Sequence, residues 1–292
     1  MPKDETEAIC DSIIESYVRR TCAGEVDGRM KYLFVRLRRR VLVFLDAIME
    51  EAAQSRFETF RTELPVGGAR GEGDSASPAP IRFTCDDGGT VSLYGVIDRL
   101  DTYTKDGKTY VRVIDYKTGS KRFSYDDIKI GLNIQLLLYL FCAWRSEGSS
   151  FKRELAPDGE ILPAGALYLT VKPGDPTSDV PVDAEQAREM MADTIERSGV
   201  VTDERDVLDA MDRGISGRYV PVSLKEDGTY KKSASLATLE RFGELYREMG
   251  EVICRIADEM KSGVAAARPL EHHGSVPCKW CAMREICRKE TK

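Results

Sequence analysis

Residues 95–119 read Gly95-Val-Ile-Asp98-Arg-Leu-Asp101-Thr-Tyr-Thr-Lys105-Asp106-Gly107-Lys108-Thr-Tyr110-Val-Arg112-Val-Ile-Asp115-Tyr116-Lys117-Thr-Gly119. Residues 90–103 and 109–117 are rich in Val, Ile, Leu and Tyr, the residue types of strands. Between them, Asp106-Gly107 supplies the two residues that tolerate positive φ in a two-residue hairpin turn. With that turn, Lys105 faces Lys108, and each further step pairs the next residue outward on either strand. Tyr103 then faces Tyr110 and Asp101 faces Arg112, both favourable cross-strand pairs. The same register puts Asp98 directly opposite Asp115. Like charges across a ladder destabilise it unless something lies between them, and a divalent cation held by oxygen ligands resolves the conflict.

Side chains alternate along a strand, so Lys117 shares a face with Asp115. A lysine there helps hold both carboxylates ionised and can orient a water or a phosphate. Val96, Leu100, Val111 and Val113 are expected on that face as buried neighbours, which argues against an ordinary exposed Asp–Lys pair.

Downstream, Ser124-Tyr125-Asp126-Asp127 has the character of a capping box with Asp in the usual Glu place. The spacing predicts a buried helix over Ile128–Trp144, apolar on nearly every side. Gln135 and Tyr139 interrupt it four residues apart on one face, where they could hold an attacking water or a DNA phosphate. Further out, apolar residues at helical spacing predict helices over residues 5–20 and 30–52. The arginine run of the second, Arg36, Arg38, Arg39 and Arg40, is expected on a solvated face. Residues 66–80 read as a Gly/Ser/Ala/Pro-rich loop, Asp183–Ser198 and Leu236–Lys261 as helices, and Gly214–Tyr230 as a strand and turn.

Bulk properties set limits. The 292 residues are 42% hydrophobic and 32% charged, the balance of a soluble globular protein. No apolar run approaches the roughly 20 residues of a membrane span, so no membrane association is expected. The opening residues are too acidic for a secretory signal, which leaves the cytoplasm as the expected location. A net charge of −6 argues against a wholly nucleic-acid-gripping surface, though not against a local basic groove.

Among eight cysteines, Cys10, Cys22, Cys85, Cys142 and Cys254 are scattered and read as inert small residues. Cys278, Cys281 and Cys287 form a C-x2-C-x5-C stretch, which in a cytosolic chain reads as metal or iron–sulfur ligation before disulfides.

The ordered set Gly95-Val-Ile-Asp98-Arg99-Leu-Asp101, Val113-Ile-Asp115-Tyr-Lys117-Thr-Gly119 and Gln135-x3-Tyr139 resembles the PD-(D/E)XK nuclease superfamily in its RecB-like branch. With the terminal cysteines it is similar to the nuclease domains of AddB-type subunits of bacterial helicase–nucleases, from about residue 30 to Arg288. Pro163–Tyr168 resembles the strand that the family places after the glutamine helix. The resemblance implies a restriction-endonuclease-like α/β core, a mixed central sheet flanked by helices. It implies Mg2+ or Mn2+ held by Asp98, Asp115 and the carbonyl of Tyr116, with Lys117 acting on the water or phosphorus and Gln135 and Tyr139 completing the site. It also implies single-stranded DNA ends as substrate, an AddA-like helicase–nuclease partner, and a role in double-strand break repair.

Two features of the family are not evident. Its upstream cysteine, followed by Pro-Phe, completes a 4Fe-4S cluster with three C-terminal cysteines; Cys10 is followed by Asp-Ser and lies close to the core. Its upstream metal-holding histidine has no counterpart, because His272 and His273, the only histidines, sit just before the cysteine stretch. The cluster is therefore expected to be incomplete in this chain, and the chain a piece of a larger protein. The expected layout is one nuclease domain: a helical segment at 1–62, a catalytic core at 81–175, peripheral elements at 176–263 and the cysteine segment at 264–292. The competing readings are a stand-alone iron–sulfur exonuclease of the CRISPR-adaptation type and a non-catalytic DNA-binding module of the same fold.

Overall fold

In the computed structural model the described residues are all except 1–2, 23–25, 68–76, 120, 147–149, 158, 173–177, 179, 232–234, 272–277, 279–280 and 288–292. Two long helices open the chain, α1 (Lys3–Thr21) and α2 (Gly28–Gln54), followed by strands β1 (Glu58–Val66), β2 (Ile81–Thr84), β3 (Thr90–Leu93), β4 (Gly95–Lys105) and β5 (Lys108–Thr118). Then come α3 (Tyr125–Lys129), α4 (Gln135–Trp144), α5 (Ser150–Leu155), β6 (Glu160–Val171), α6 (Ala184–Ala192), β7 (Ile195–Thr202) and α7 (Arg205–Met211). Short strands β8 (Ser223–Leu224), β9 (Tyr230–Lys231) and β10 (Leu236–Ala237) lead to α8 (Leu239–Lys261).

The central sheet runs β1-β4-β5-β6-β7-β10. It is mixed: β5–β6 and β7–β10 are parallel, and the other neighbouring pairs are antiparallel. Two cores sandwich it. On one face, Leu100, Val111, Val113, Ala166 and Tyr168 pack with Leu136, Leu137, Leu140 and Phe141 of α4 and Phe242, Leu245 and Met249 of α8. On the other, Ile114, Leu167, Leu169 and Val201 pack with Val207, Leu208 and Met211 of α7, and Phe44 of α2 meets the Tyr116 ring edge-on at 5.7 Å.

The hairpin forms as the sequence dictates. Asp106 and Gly107 take φ of 50° and 73°, the pair of positive values that a type I′ turn requires. Lys105 pairs with Lys108, Tyr103 with Tyr110 and Asp101 with Arg112. Asp101 is the hub of a buried ionic network. It accepts from Arg99 Nε (2.6 Å) and from Arg112 Nη2 (2.7 Å). Arg112 also reaches Glu51 of α2 at 3.1 Å, and Glu51 in turn binds Arg197 of β7 at 2.8 Å. The network thus fastens α2 across three strands. Arg38, from the run expected to be solvated, instead pairs with Glu7 and Asp11 of α1; side-chain partners, not solvent, satisfy it.

Several expectations need correction. Residues 90–93 do not continue into the hairpin; they pair with β2 in a separate two-stranded sheet. The helix expected over Ile128–Trp144 is broken, because Gly131 and Asn133 take φ of 82° and 54°, left-handed values that end a helix. Ser124 stands at the N-cap of α3 but makes no side-chain capping bond. The Asp183–Ser198 helix stops at Ala192, and residues 195–202 are strand β7. There Gly199 packs so tightly on β6 that a Cβ would lie on the Ala166 carbonyl, which explains a glycine among β-branched residues. Cys85 and Cys254 are not inert singles: they form a disulfide with a Cα separation of 5.4 Å, joining the β2–β3 hairpin to α8. Most of the loop expected at 66–80 lies outside the described residues, as do His272 and His273. Among the described residues, no helix is long and apolar enough to cross a membrane.

Candidate active site

Asp115 lies on β5 at the centre of the sheet, flanked by β4 and by Tyr168, its partner on β6. Its side chain is 0% exposed. Neither carboxylate oxygen receives a well-directed hydrogen bond, and the Lys117 ammonium lies against Oδ2 as an ion pair. Burial raises the Asp115 pKa; Lys117 and Lys121 oppose the rise and the charge of Asp98 adds to it. A buried carboxylate lacking directed donors is costly, and such cost concentrates where a ligand is to be bound.

Asp98 is not in ladder with Asp115. The β4–β5 pairing ends one step earlier, at Arg99–Ile114, and the Asp98 carboxylate accepts the Tyr116 N–H at 2.9 Å. The reason is a slip in alternation: Ile97 and Leu100, three residues apart, both face the α4 core. Across from the slip, Glu63 of β1 takes a φ of 48°. Val96 consequently points outward, 43% exposed, where strict alternation would have buried it. The two carboxylates still share one electrostatic neighbourhood.

Gln135 and Tyr139 are brought together, with Gln135 Nε2 donating to the Tyr139 hydroxyl at 2.8 Å. That hydroxyl also accepts the Val96 N–H at 3.3 Å, which seats the pair against β4 two residues before Asp98. The approach depends on Gly95, where a Cβ would stand 2.7 Å from the tyrosine oxygen. Gly95→Ala is therefore expected to displace Tyr139 and to cost about 1–3 kcal/mol by overpacking. Urea unfolding of the variant, read beside its tyrosine near-ultraviolet circular dichroism, checks this; an unchanged midpoint and spectrum would refute the close approach.

Sequence reasoning missed Lys121, Asp127 and Asn133. They meet at the helix break: Asn133 Nδ2 donates to the buried Asp127 carboxylate, the Tyr168 hydroxyl donates to the Asn133 carbonyl at 3.4 Å, and the Lys121 ammonium lies 5.1 Å from the Tyr168 ring centroid. The signal available was Gly131 and Asn133, two left-handed formers inside an apparently continuous apolar helix. Beside Lys117 an apolar groove of about 480 Å³ runs between α2 and the ends of β5 and β6, lined by Leu37, Phe44, Tyr116 and Leu169 among others.

For a divalent cation the donor chemistry fits: Asp115 offers oxygens without directed donors, and Asp98 is close enough to act on its charge. Among the described residues, no group of three His, Cys, Asp or Glu side chains converges anywhere. Cys278 is half-buried and Cys281 and Cys287 are exposed, all as free thiols. They sit on a run of turns, with Cys281 N–H donating to the Cys278 carbonyl and Cys287 N–H to that of Met283. As placed, they do not form the converging ligand set of a cluster, and no chemistry is derived from one.

A mixed sheet flanked by helices, with Asp98, Asp115 and Lys117 at its centre, defines a restriction-endonuclease-like core. The chain belongs to the PD-(D/E)XK nuclease superfamily, whose family model matches residues 1–288. It is similar to an ATP-dependent helicase/deoxyribonuclease subunit of Symbiobacterium thermophilum, the AddB type, at 33% identity over 98% of this chain and 24% of the relative. The protein of the same name from Clostridium acetobutylicum is 30% identical over 96% of this chain and 24% of its own length. That of Desulforudis audaxviator is 31% identical over 89% and 21%. The chain thus spans about a quarter of the length of these curated relatives.

Proposed function

We propose that this chain hydrolyses phosphodiester bonds of DNA with a bound Mg2+ or Mn2+, using Asp98, Asp115 and the Tyr116 carbonyl to hold the ion. The substrate is a single-stranded DNA end, delivered by an AddA-like motor subunit during double-strand break repair. The names of the relatives, each one subunit of an ATP-dependent helicase/deoxyribonuclease, support that setting. The observation that carries the reading is the Asp115 carboxylate, fully buried, without directed donors and paired with Lys117.

When bound, the cation supplies Lewis acidity toward a phosphoryl oxygen. Asp115, fixed in the sheet, orients the cation and pays no reorganisation during the reaction. The Lys117 ammonium is positioned to donate to oxygen as negative charge develops around phosphorus. Gln135, braced by Tyr139 against β4, holds the substrate side of the cleft. With a labelled single-stranded oligonucleotide, cleavage is expected in Mg2+ or Mn2+ and not in EDTA; equal rates in both would refute the metal-dependent reading.

A further inference from the structure

The site holds a second lysine that no motif announced. After Lys117 the chain turns at Gly119, whose φ is 124°, and returns Lys121 over the cleft. Its ammonium lies 5.1 Å from the Tyr168 ring centroid, and Tyr168 is the residue paired with Asp115 across β5 and β6. Lys121 is half-buried, yet no ion pair or hydrogen bond links it to any described residue. Burial and the like charge of Lys117 push its pKa below the ordinary lysine value, against the more distant attraction of Asp115 and Asp127.

Packing alone does not account for this arrangement. A lysine stem can cover a tyrosine ring while its head reaches water, but here the head also faces the like charge of Lys117. Asp115 and Asp127 attract the Lys121 ammonium, and Lys117 repels it. A phosphodiester oxygen placed beside the two ammoniums would relieve their mutual repulsion through charge-assisted hydrogen bonds.

We propose that Lys121 is a substrate-binding residue whose ammonium grips a phosphate of the DNA strand alongside Lys117. The proposal rests on the nuclease reading for its substrate, but its test does not depend on turnover. The full 292-residue chain is titrated with a fluorescent single-stranded oligonucleotide in Ca2+ at several salt concentrations, for the wild type, Lys121→Met, Lys121→Gln and Lys121→Arg. The methionine keeps the apolar stem on Tyr168 and removes only the charge. Affinity is expected to fall about tenfold in the Met and Gln variants, near the worth of one charge-assisted hydrogen bond. The slope of log affinity against log salt should shrink by about 0.7, the loss of one phosphate contact on a single strand. Lys121→Arg should retain both.

Wild-type affinity and slope in Lys121→Met and Lys121→Gln would overturn the proposal. So would equal weakening in all three variants without a change of slope, which marks a structural role, or a wild type that does not bind. A wild type that binds with the expected slope change but does not cleave in Mg2+ would instead condemn the nuclease reading and leave the phosphate contact standing.

Discussion

Asp115→Asn is expected to lower DNA cleavage by about a thousandfold, the upper end of what removal of one preorganised electrostatic contact costs, while making the metal-free protein more stable near neutral pH. Both effects come from the same burial. Desolvation holds the Asp115 carboxyl above its usual pKa, and Lys117 does not fully offset it. Between the unfolded value of about 3.9 and the raised native value, the folded state binds the extra proton. Stability therefore falls as pH rises through that window and stays reduced above it. Asparagine carries no such penalty. In EDTA the urea midpoint of Asp115→Asn should exceed that of the wild type above the window, with the gap closing toward about pH 4. Mg2+ should raise the wild-type midpoint by mass action and leave the variant unmoved. A variant that cleaves normally, or is less stable than wild type in EDTA at neutral pH, would remove Asp115 from the site.

Asp101→Ala should do the opposite, costing the fold about 3–5 kcal/mol, the usual penalty for breaking a buried ion pair. Asp101 is 0% exposed and holds both Arg99 and Arg112. Its loss leaves the buried Arg99 without that carboxylate and Arg112 with Glu51, which already binds Arg197. The melting temperature should fall by roughly 10 °C, whereas cleavage measured below the new transition should persist, because Asp101 faces the α2 side of the sheet. Calorimetry alongside low-temperature nuclease assays separates the two outcomes; a wild-type melting temperature would show the network to be dispensable.

Asp98 and Asp101 stand three residues apart on one strand, and the hairpin register assigns them different partners. The Asp-Gly turn sets the register and the register sets Asp101 against Arg112, as observed, whereas the ladder stops before the Asp98–Asp115 pair that the same register predicts. Such inferences rest on local chemistry: turn conformation, side-chain alternation and charge complementarity act over a few residues. The helices at either end were legible for the same reason, through apolar periodicity, whereas the mixed α/β core was expected from the family resemblance.

Tertiary structure decided what depends on partners remote in the chain. A slip in alternation between Ile97 and Leu100 swings Asp98 onto the Tyr116 N–H and turns Val96 outward, and strict period-two reading has no means of locating a slip. The strand at 195–202 exists because β6 offers it an edge and Gly199 permits contact with Ala166; its own residues read equally well as the end of a helix. At the break before Gln135, Asp127 and Asn133 satisfy one another, and Lys121 comes to the site through its contact with the Tyr168 ring, 47 residues away in sequence. The disulfide likewise joins residues 169 apart in sequence. The sequence alone determined the turn and register of the hairpin, since those follow from neighbouring residues; only the packed fold decided where its acidic side chains would lie and which other groups would share their space, since that depends on residues brought together from the whole chain.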